Sequence, residues 1–402
     1  DRRLINRYHR GSLSDPGRWP ANWNRSFELS RDQPGAGILL LHGMSDSPYS
    51  LLNEGQRLHE AGAWVVGLRI PGHGTAPSGL VEVRWQDMAA AVQLAVRHLR
   101  DKVGEQPIYL VGYSNGGALA VNYALSTLAD PALPGVAGLV LISPAIGVSP
   151  LAVLAVWQAR LGHLLGLEKL AWSDILPEYD PFKYGSFAVN AGDVVYRLTD
   201  TIQSRLEKLK AGGELNRFPP VLAFQSAVDA TVSMPALVQG LFEQLPDNGH
   251  ELVLFDINRL AEIEPLFSKD PKLAIEAKLS RTDLPFSFSL VTNKNRDSQD
   301  VIVHKKRAGE RGITDRPTDF TWPDEVYSLS HVALPTPAND PLYGRGDPVS
   351  SPGIHLGDLN FRGERGVLQV PASSLMRLQW NPFYPYIEQR MLEFVQLDTP
   401  SE

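Results

Sequence analysis

A serine at position 114 stands in a sequence context that suits nucleophilic catalysis. It lies in the run Gly-Tyr-Ser-Asn-Gly, which follows the apolar segment 108–111 and precedes segment 116–128, whose apolar residues recur at helical spacing. A strand that turns sharply into a helix exposes the serine hydroxyl at the turn, an arrangement known as a nucleophile elbow. Glycines fit that turn because side chains at Gly112 and Gly116 would collide with the neighbouring strand or helix. We therefore predict that Ser114 is a nucleophile.

Two backbone amides are predicted to stabilise negative charge beside this serine. The first amide is that of Asn115. The helix that begins near this residue points free N–H groups and the positive end of its dipole toward the reacting carbonyl. The second amide is that of Met44, because the apolar run 39–41 ends in His-Gly and the chain turns there. Removing one such donor typically costs about 100-fold or more in rate. A chain with 34 glycines matches the pentapeptide easily by chance, but strand, helix and upstream His-Gly together favour the elbow.

The elements that must position these groups alternate along the chain. Short apolar runs, typical of strands buried on both faces, occur at 38–41, 64–68, 108–111, 139–142 and 221–224. Segments with apolar residues at helical spacing lie between them, at 49–60, 85–99, 116–128 and 235–245. This alternation predicts an α/β fold with a mostly parallel, doubly wound sheet flanked by helices. The catalytic groups are then expected on loops at the carboxyl ends of the strands.

Two regions interrupt the alternation and define the predicted domains. Residues 37–144 and 219–402 are assigned to the core, after an amino-terminal extension over 1–36. Residues 145–218, rich in Leu, Trp and Tyr, are predicted to form a helical cap over the site. Within the core, the region of about 258–324 is predicted to be an inserted hairpin.

The hairpin prediction rests on two strand-like runs, 286–291 and 301–305, around the polar turn 292–300. Beyond it, segment 335–365 has the composition of loops, and segment 384–396 resembles a closing helix.

Four segments together resemble the α/β-hydrolase superfamily. They are residues 39–50, the Pro-Gly-His-Gly run at 71–74, residues 112–117 and the Ser-Ala-Val-Asp run at 226–229. The branch they are most similar to is that of bacterial carboxylesterases and monoacylglycerol-lipase-like or lysophospholipase-like enzymes. The resemblance extends over residues 37–143 and 221–245. It implies that His42 and His73 order their loops and are not bases.

A serine hydroxyl needs a base, and the order nucleophile, acid, histidine is usual on this fold. Asp229, just past the apolar run 221–224, matches the family's acid position. The alternative acid is Asp256, at the end of the strand-like run 251–255, where a carboxylate that merely terminates a strand is the simpler explanation.

The base is predicted to be His331, because segment 325–330 before it resembles a strand. The other histidines after Asp229 are less well placed. His250 precedes its strand, His304 falls within the hairpin, and His355 follows no strand. A single histidine is more often structural than catalytic, but a nucleophilic serine on this fold requires one.

The predicted cap supplies apolar side chains that are candidates for an acyl pocket, although packing between cap and core explains each of them equally well. They are Trp157, Leu161, Leu164, Trp172, Phe182, Tyr184 and Phe187. The predicted function is hydrolysis of short or medium acyl esters through a Ser-His-Asp triad and an acyl-enzyme. Lysophospholipase or monoacylglycerol lipase is the alternative, and an inactive binding protein on the same fold is a third.

Composition excludes several other classes. A net charge of −7 without long charge runs gives no surface for nucleic acid, and a small-molecule ester, or a lipid at a membrane surface, is the expected partner. The chain has no cysteine and no His-Glu-x-x-His run, so we expect no cofactor and no metal. The uncharged stretch 135–157 is divided by two prolines and is predicted to be a strand and a helix. Because the sequence begins at Asp1, we expect export or membrane anchoring somewhat more than a cytoplasmic location.

Overall fold

A ten-stranded sheet forms the centre of the protein in the computed structural model, which describes residues 5–147, 171–260, 270–346, 351–357 and 376–397. Its order is β1-β3-β2-β4-β5-β8-β9-β10-β11-β12, and β6 pairs with β7 in a separate two-stranded sheet. The strands are β1 Phe27–Leu29, β2 Ala36–Leu41, β3 Ala63–Leu68, β4 Ile108–Tyr113, β5 Gly138–Ile142, β6 Trp172–Asp174, β7 Phe187–Ala188, β8 Val221–Ser226, β9 Glu251–Phe255, β10 Ser287–Asn293, β11 Asp300–Lys306 and β12 Ile313–Thr321.

The seven strands from β3 to β10 in this order are parallel, which agrees with the predicted sheet. The strands β1 and β11 are antiparallel to their inner neighbours, and β12 is antiparallel to β11. The predicted hairpin is present as β10 and β11, and its first strand also extends the parallel part of the sheet. The sequence did not indicate β12, because most of its side chains are exposed and it carries no apolar alternation.

Helices cover both faces of the sheet. They are α1 Leu52–Glu60, α2 Trp85–Val103, α3 Asn115–Ala129, α4 Val189–Ala211, α5 Met234–Leu237, α6 Lys272–Ser280 and α7 Tyr384–Val395. Successive residues of a strand point to opposite faces. In β2, Leu39 and Leu41 therefore pack in one cluster with α2, α3 and α4, while Ile38 and Leu40 pack in a second cluster with α1 and α7. Burial on both faces explains why the strand sequences are continuously apolar.

The helix predicted over 235–245 consists of α5 followed by a π-helical turn over Val238–Phe242. The predicted closing helix is present as α7. Among the described helices, none combines the length and hydropathy that a membrane crossing requires.

The described part of the predicted cap contains β6, β7 and the 23-residue helix α4. The buried side chains of α4 share the core cluster that α2 and α3 form on the sheet. Trp157, Leu161 and Leu164 lie outside the described residues, and the proposed domain boundaries remain predictions.

Candidate active site

Ser114 occupies the junction between β4 and α3 in a strained backbone conformation, with φ +53° and ψ −117°. Such conformations persist only where the surrounding structure enforces them. The neighbouring chain does so through two hydrogen bonds, from the Ser114 N–H to the Ile142 carbonyl at 3.0 Å and from the Ala145 N–H to the Ser114 carbonyl at 2.9 Å.

The two glycines of the elbow are required by close backbone contacts. A Cβ atom on Gly112 would lie 2.6 Å from the backbone nitrogen of Gly117, and one on Gly116 would overlap the backbone of Leu41 and His42. The collisions predicted from the sequence are therefore present. Glycine at both positions allows the close backbone packing that places Ser114 at the end of the sheet.

Met44 lies in the loop after β2 and lines the same cavity as Ser114. Its carbonyl is held by His73, whose Nε2 is 2.7 Å away, and the next carbonyl, that of Ser45, accepts the Tyr184 N–H at 2.8 Å. These bonds fix the peptide planes of the loop. Asn115, fully buried at the start of α3, lies directly after the serine.

The histidines His42 and His73 lie beneath this loop, with ring centroids 4.8 Å apart. The His42 Nε2 accepts the Ile70 N–H at 3.1 Å, and Nδ1 is 2.8 Å from the Gly43 carbonyl, so Nδ1 carries the proton. Burial, reinforced by the neighbouring His73, lowers the pKa of His42 well below its usual value. Burial also lowers the pKa of His73. Both rings therefore bind loop backbone as neutral groups.

His331 and Asp229 are brought together from positions 102 residues apart, with 2.8 Å between the His331 Nδ1 and the Asp229 Oδ2. A carboxylate only accepts hydrogen bonds, so Nδ1 carries the proton and Nε2 is left with its lone pair. Their side chains are 6% and 0% exposed.

Asp229 receives further hydrogen bonds at both carboxylate oxygens. The backbone N–H groups of Thr231 and Val232 donate to Oδ1, and Gln225 Nε2 donates to Oδ2. Burial opposes ionisation of Asp229, but the bonds from His331 and from this backbone outweigh it and lower the pKa of the carboxyl. The group is thus a stable anion beside the imidazole.

The segment before His331 is a loop, so the strand expected over 325–330 was wrong. Its carbonyls are bound by other elements instead of a neighbouring strand. The Asn258 backbone N–H donates to the Tyr327 carbonyl at 2.8 Å, and its Nδ2 donates to the Val326 carbonyl at 3.1 Å. The Ser226 Oγ donates to the Leu329 carbonyl at 2.8 Å. The apolar residues that suggested a strand, Val326 and Leu329, are buried in the core cluster of α1 and α7.

The elbow itself also contacts the histidine. The ring of Tyr113 lies 5.1 Å from the His331 ring, and its hydroxyl donates to the His331 carbonyl at 3.5 Å.

The alternative acid and bases lie in other environments, and the cavity lining at Ser114 includes none of them. Asp256 pairs with Arg259 at 2.8 Å and accepts the Thr292 hydroxyl. His250 accepts the Val221 N–H through Nδ1, and burial lowers its pKa to about 4.

The two remaining histidines are also engaged elsewhere. His304 pairs with Asp315 at 2.6 Å, and the His355 Nδ1 is 3.2 Å from the Pro341 carbonyl.

A cavity of about 270 Å³ contains Ser114, His331 and Met44. Of the described cap residues that were candidates for its wall, Phe187 lines it. Phe182 instead stacks on Tyr49 with ring centroids 4.5 Å apart, and the Tyr184 ring stacks on His73. Trp172 packs against the core cluster of α2 and α3.

Among the described residues, the cavity lining also includes two cations that were not predicted from the sequence, Lys183 and Arg377. Neither lies in a recognisable motif, and their positions follow from the tertiary fold alone. In the described part of the chain, no group of three or more His, Asp or Glu side chains is arranged to hold a metal ion.

The parallel sheet, its helical layers and the strained serine at a strand–helix junction define an α/β-hydrolase fold. More than half of the chain, residues 32–257, matches the model of the family described as serine aminopeptidase, S33, or Hydrolase_4. The chain belongs to this family, and the predicted hydrolase class is confirmed.

Individual relatives cover less of the molecule. A thermostable monoacylglycerol lipase of Bacillus sp. (strain H-257) is 28% identical over 116 residues, which are 29% of this chain and 43% of that protein. The chain thus matches less than half of that relative's length.

Similar solved structures include one from a study of LipS and LipT, two metagenome-derived lipolytic enzymes. It is 21% identical, has a TM-score of 0.46, and is matched over 58% of this chain and 88% of its own. The monoacylglycerol lipase of Paleococcus ferrophilus is 20% identical with a TM-score of 0.42, and the match covers 57% and 88% of the two chains.

Proposed function

We propose that this chain is a serine carboxylic-ester hydrolase that cleaves short or medium acyl esters. The observation that carries the proposal is that His331, which is hydrogen-bonded to Asp229, lines the same cavity as the strained Ser114. Serine, imidazole and a buried carboxylate in one site form the group that acyl transfer to water requires.

In the proposed reaction, His331 Nε2 removes the Ser114 proton as the hydroxyl oxygen attacks the ester carbonyl. The oxyanion that forms accepts hydrogen bonds from the Met44 and Asn115 amides. Asp229 stabilises the imidazolium, which then protonates the departing alcohol and leaves an acyl-enzyme. Water, deprotonated by His331, attacks this acyl group in the same way and releases the acid.

A short or medium acyl chain is favoured by the site's size. The described cavity, about 270 Å³, lies near the lower end of the range for small-molecule sites, and Phe187 and Val195 give it an apolar wall. The monoacylglycerol lipase relative keeps monoacylglycerol or lysophospholipid hydrolysis as the second candidate.

Aminopeptidase activity, which the family's name suggests, is less compatible with the charges. Such a substrate carries a free ammonium group, whereas the described lining presents Lys183 and Arg377 against the single carboxylate of Asp46. Like charges in a partly enclosed site repel, so we favour an ester.

The test is a series of p-nitrophenyl esters from acetate to palmitate, with kcat/KM compared for the wild type and Ser114→Ala. An optimum at short or medium chains that disappears in the variant is expected. An optimum at long chains would assign the protein to the lipase or lysophospholipase class, and no hydrolysis of any ester would contradict the proposal in favour of amides, thioesters or an inactive binding protein.

A further inference from the structure

Two cations line the Ser114 cavity, and their charges are balanced differently. Lys183 forms an ion pair with Asp46, with 3.1 Å between Nζ and Oδ1. Arg377 is half-buried, and its Nη2 donates to the Thr231 hydroxyl at 3.1 Å. Within the described ranges, Arg377 forms no ion pair with a carboxylate, and its charge acts on the neighbouring Tyr113 hydroxyl. No ion pair in these ranges therefore neutralises the guanidinium.

A cation on the wall of a partly enclosed cavity attracts an anionic group of a bound molecule. A guanidinium has five N–H donors in a planar fork that matches carboxylate and phosphate oxygens. One of its nitrogens is used by Thr231, so others remain to receive such a group.

Arg377 lies on the side of the cavity that the proposed mechanism assigns to the alcohol portion of an ester. Its partner Thr231 follows Asp229 by two residues and donates its backbone N–H to the Asp229 Oδ1 at 2.7 Å. Arg377 thus lies on the side of the cavity formed by the acid and the base. Because the imidazole must protonate the departing alcohol oxygen, the alcohol portion of an ester lies on this side as well.

We propose that Arg377 binds an anionic oxygen group, a carboxylate or a phosphate, on the alcohol portion of the ester substrate. This inference rests on the proposed ester hydrolysis and specifies the substrate class. The acyl portion remains neutral and contacts Phe187 and Val195.

The experiment uses two pairs of soluble butyryl esters, and the members of each pair differ in one anionic group. The first pair is 1-butyrylglycerol and 1-butyrylglycerol 3-phosphate, and the second is 4-butyryloxybutanamide and 4-butyryloxybutanoate. Butyrate release gives kcat/KM for each ester. The wild type is expected to prefer the anionic member of at least one pair by about tenfold or more, the size of a charge-assisted hydrogen bond. The pair that shows the preference identifies the anion.

Three variants assign the preference to Arg377. Arg377→Gln is expected to remove it, mainly through a higher KM for the anionic ester, and Arg377→Lys to retain part of it, since an ammonium keeps the charge without the fork. The matched control is Lys102→Gln, which removes an exposed cation that lies over the Trp64 ring, away from the cavity. That variant is expected to keep the wild-type ratio.

A salt titration of the wild type tests the same point without any substitution. Raising the ionic strength from about 0.01 to about 1 M shortens the Debye length from roughly 30 to 3 Å, so the preference is expected to decrease. Equal kcat/KM within both pairs, or a preference that Arg377→Gln keeps, would overturn the inference. If the neutral esters are cleaved in a Ser114-dependent way, such a result removes only the anion site. If none of the four esters is cleaved, the proposed function fails with it.

Discussion

Ser114 and His331 reach the same cavity from two structurally different regions. Ser114 stands between a fully buried strand and a buried helix, and backbone contacts that exclude side chains at Gly112 and Gly116 hold its conformation. His331 stands at the end of a loop whose carbonyls are bound by Asn258 and Ser226. The proposed nucleophile is thus positioned by regular secondary structure, and the proposed base by a few hydrogen bonds from neighbouring elements.

Because of this difference, the two regions are expected to respond differently to amino-acid substitutions. A side chain added at Gly112 or Gly116 meets backbone atoms that cannot move away. Removing a side chain that binds the segment before His331 deletes only part of the hydrogen bonding that holds this segment. We therefore expect changes in the first region to affect folding and catalysis together, and changes in the second to affect catalysis in smaller steps.

The largest expected effect is that of Ser114→Ala. Removing a nucleophilic serine lowers kcat by about 10⁴-fold or more, since only binding and oxyanion stabilisation remain. The measurement is steady-state hydrolysis of p-nitrophenyl butyrate. Ser126→Ala, in the last turn of α3 where the hydroxyl is bonded to Arg205, is the control and is expected to stay active. A Ser114→Ala protein with more than a tenth of the wild-type kcat would contradict the role of the serine.

The second prediction concerns the acid and the base. We expect His331→Ala to lower kcat by about 10⁴-fold and Asp229→Asn by roughly 10³ to 10⁴-fold, because the amide no longer fixes the imidazole tautomer. Circular dichroism verifies that both variants remain folded.

The rival residues supply the controls for this pair. His355→Ala and Asp256→Asn remove groups that face Pro341 and Arg259, outside the cavity. They are expected to retain activity in proportion to the folded fraction. A selective loss of kcat in either of them would transfer the catalytic role to that residue.

The third prediction tests the rigidity of the elbow. Gly116→Ala places a methyl group against the backbone of Leu41 and His42, so we expect a loss of about 1–3 kcal/mol or more in the free energy of unfolding. Urea denaturation followed by tryptophan fluorescence measures it. The control is Gly135→Ala, where a Cβ meets no atom within 4 Å and the change is expected to stay within about 0.5 kcal/mol. Equal midpoints for the two variants would show that the elbow is less constrained than we describe.

The smallest expected effect lies under the His331 loop. Asn258→Ala removes the hydrogen bond to the Val326 carbonyl and those that Asn258 Oδ1 accepts from Asn293 and Leu260. A displaced imidazole is expected to lower kcat about tenfold at an unchanged KM. Asn248→Ala is the control, because it removes a bond from Nδ2 to the Phe218 carbonyl at 2.8 Å and this side chain is exposed and does not line the described cavity.

Asn258→Ala is expected to lose about 1–3 kcal/mol of stability because it leaves buried polar groups unpaired, and Asn248→Ala is expected to lose less because water replaces the bond of an exposed side chain. Only Asn258→Ala is expected to change kcat. A wild-type kcat in that variant would mean that the other bonds suffice to position His331.

The same two regions explain what could be predicted from the sequence. The parallel strands and the elbow were predictable because buried strands have continuous apolar sequences and because a tight turn restricts residues 112 and 116 to glycine. The choice of His331 rested on a wrong reason, since the expected strand over 325–330 is absent. The geometry of His331 depends on Asn258 and Ser226, whose side-chain bonds to distant carbonyls leave no local pattern.

The cationic part of the cavity was unpredictable for a similar reason. Lys183 and Arg377 meet near Ser114 through the packing of two separate segments, and no spacing along the chain links them. The apolar expectation for the pocket came from composition alone, and composition does not specify which side chains of a segment turn inward. Phe182 and Tyr184, for example, pack against Tyr49 and His73 instead.

The most direct test of the central claim is covalent labelling with a fluorophosphonate, which reacts with activated serine nucleophiles. Mass spectrometry of the intact protein and of its peptides then locates the adduct. We predict one adduct per chain, on Ser114, which is absent in Ser114→Ala and greatly slowed in His331→Ala. An unlabelled wild-type protein, or an adduct on another serine, would contradict the claim that Ser114 is the nucleophile of this site.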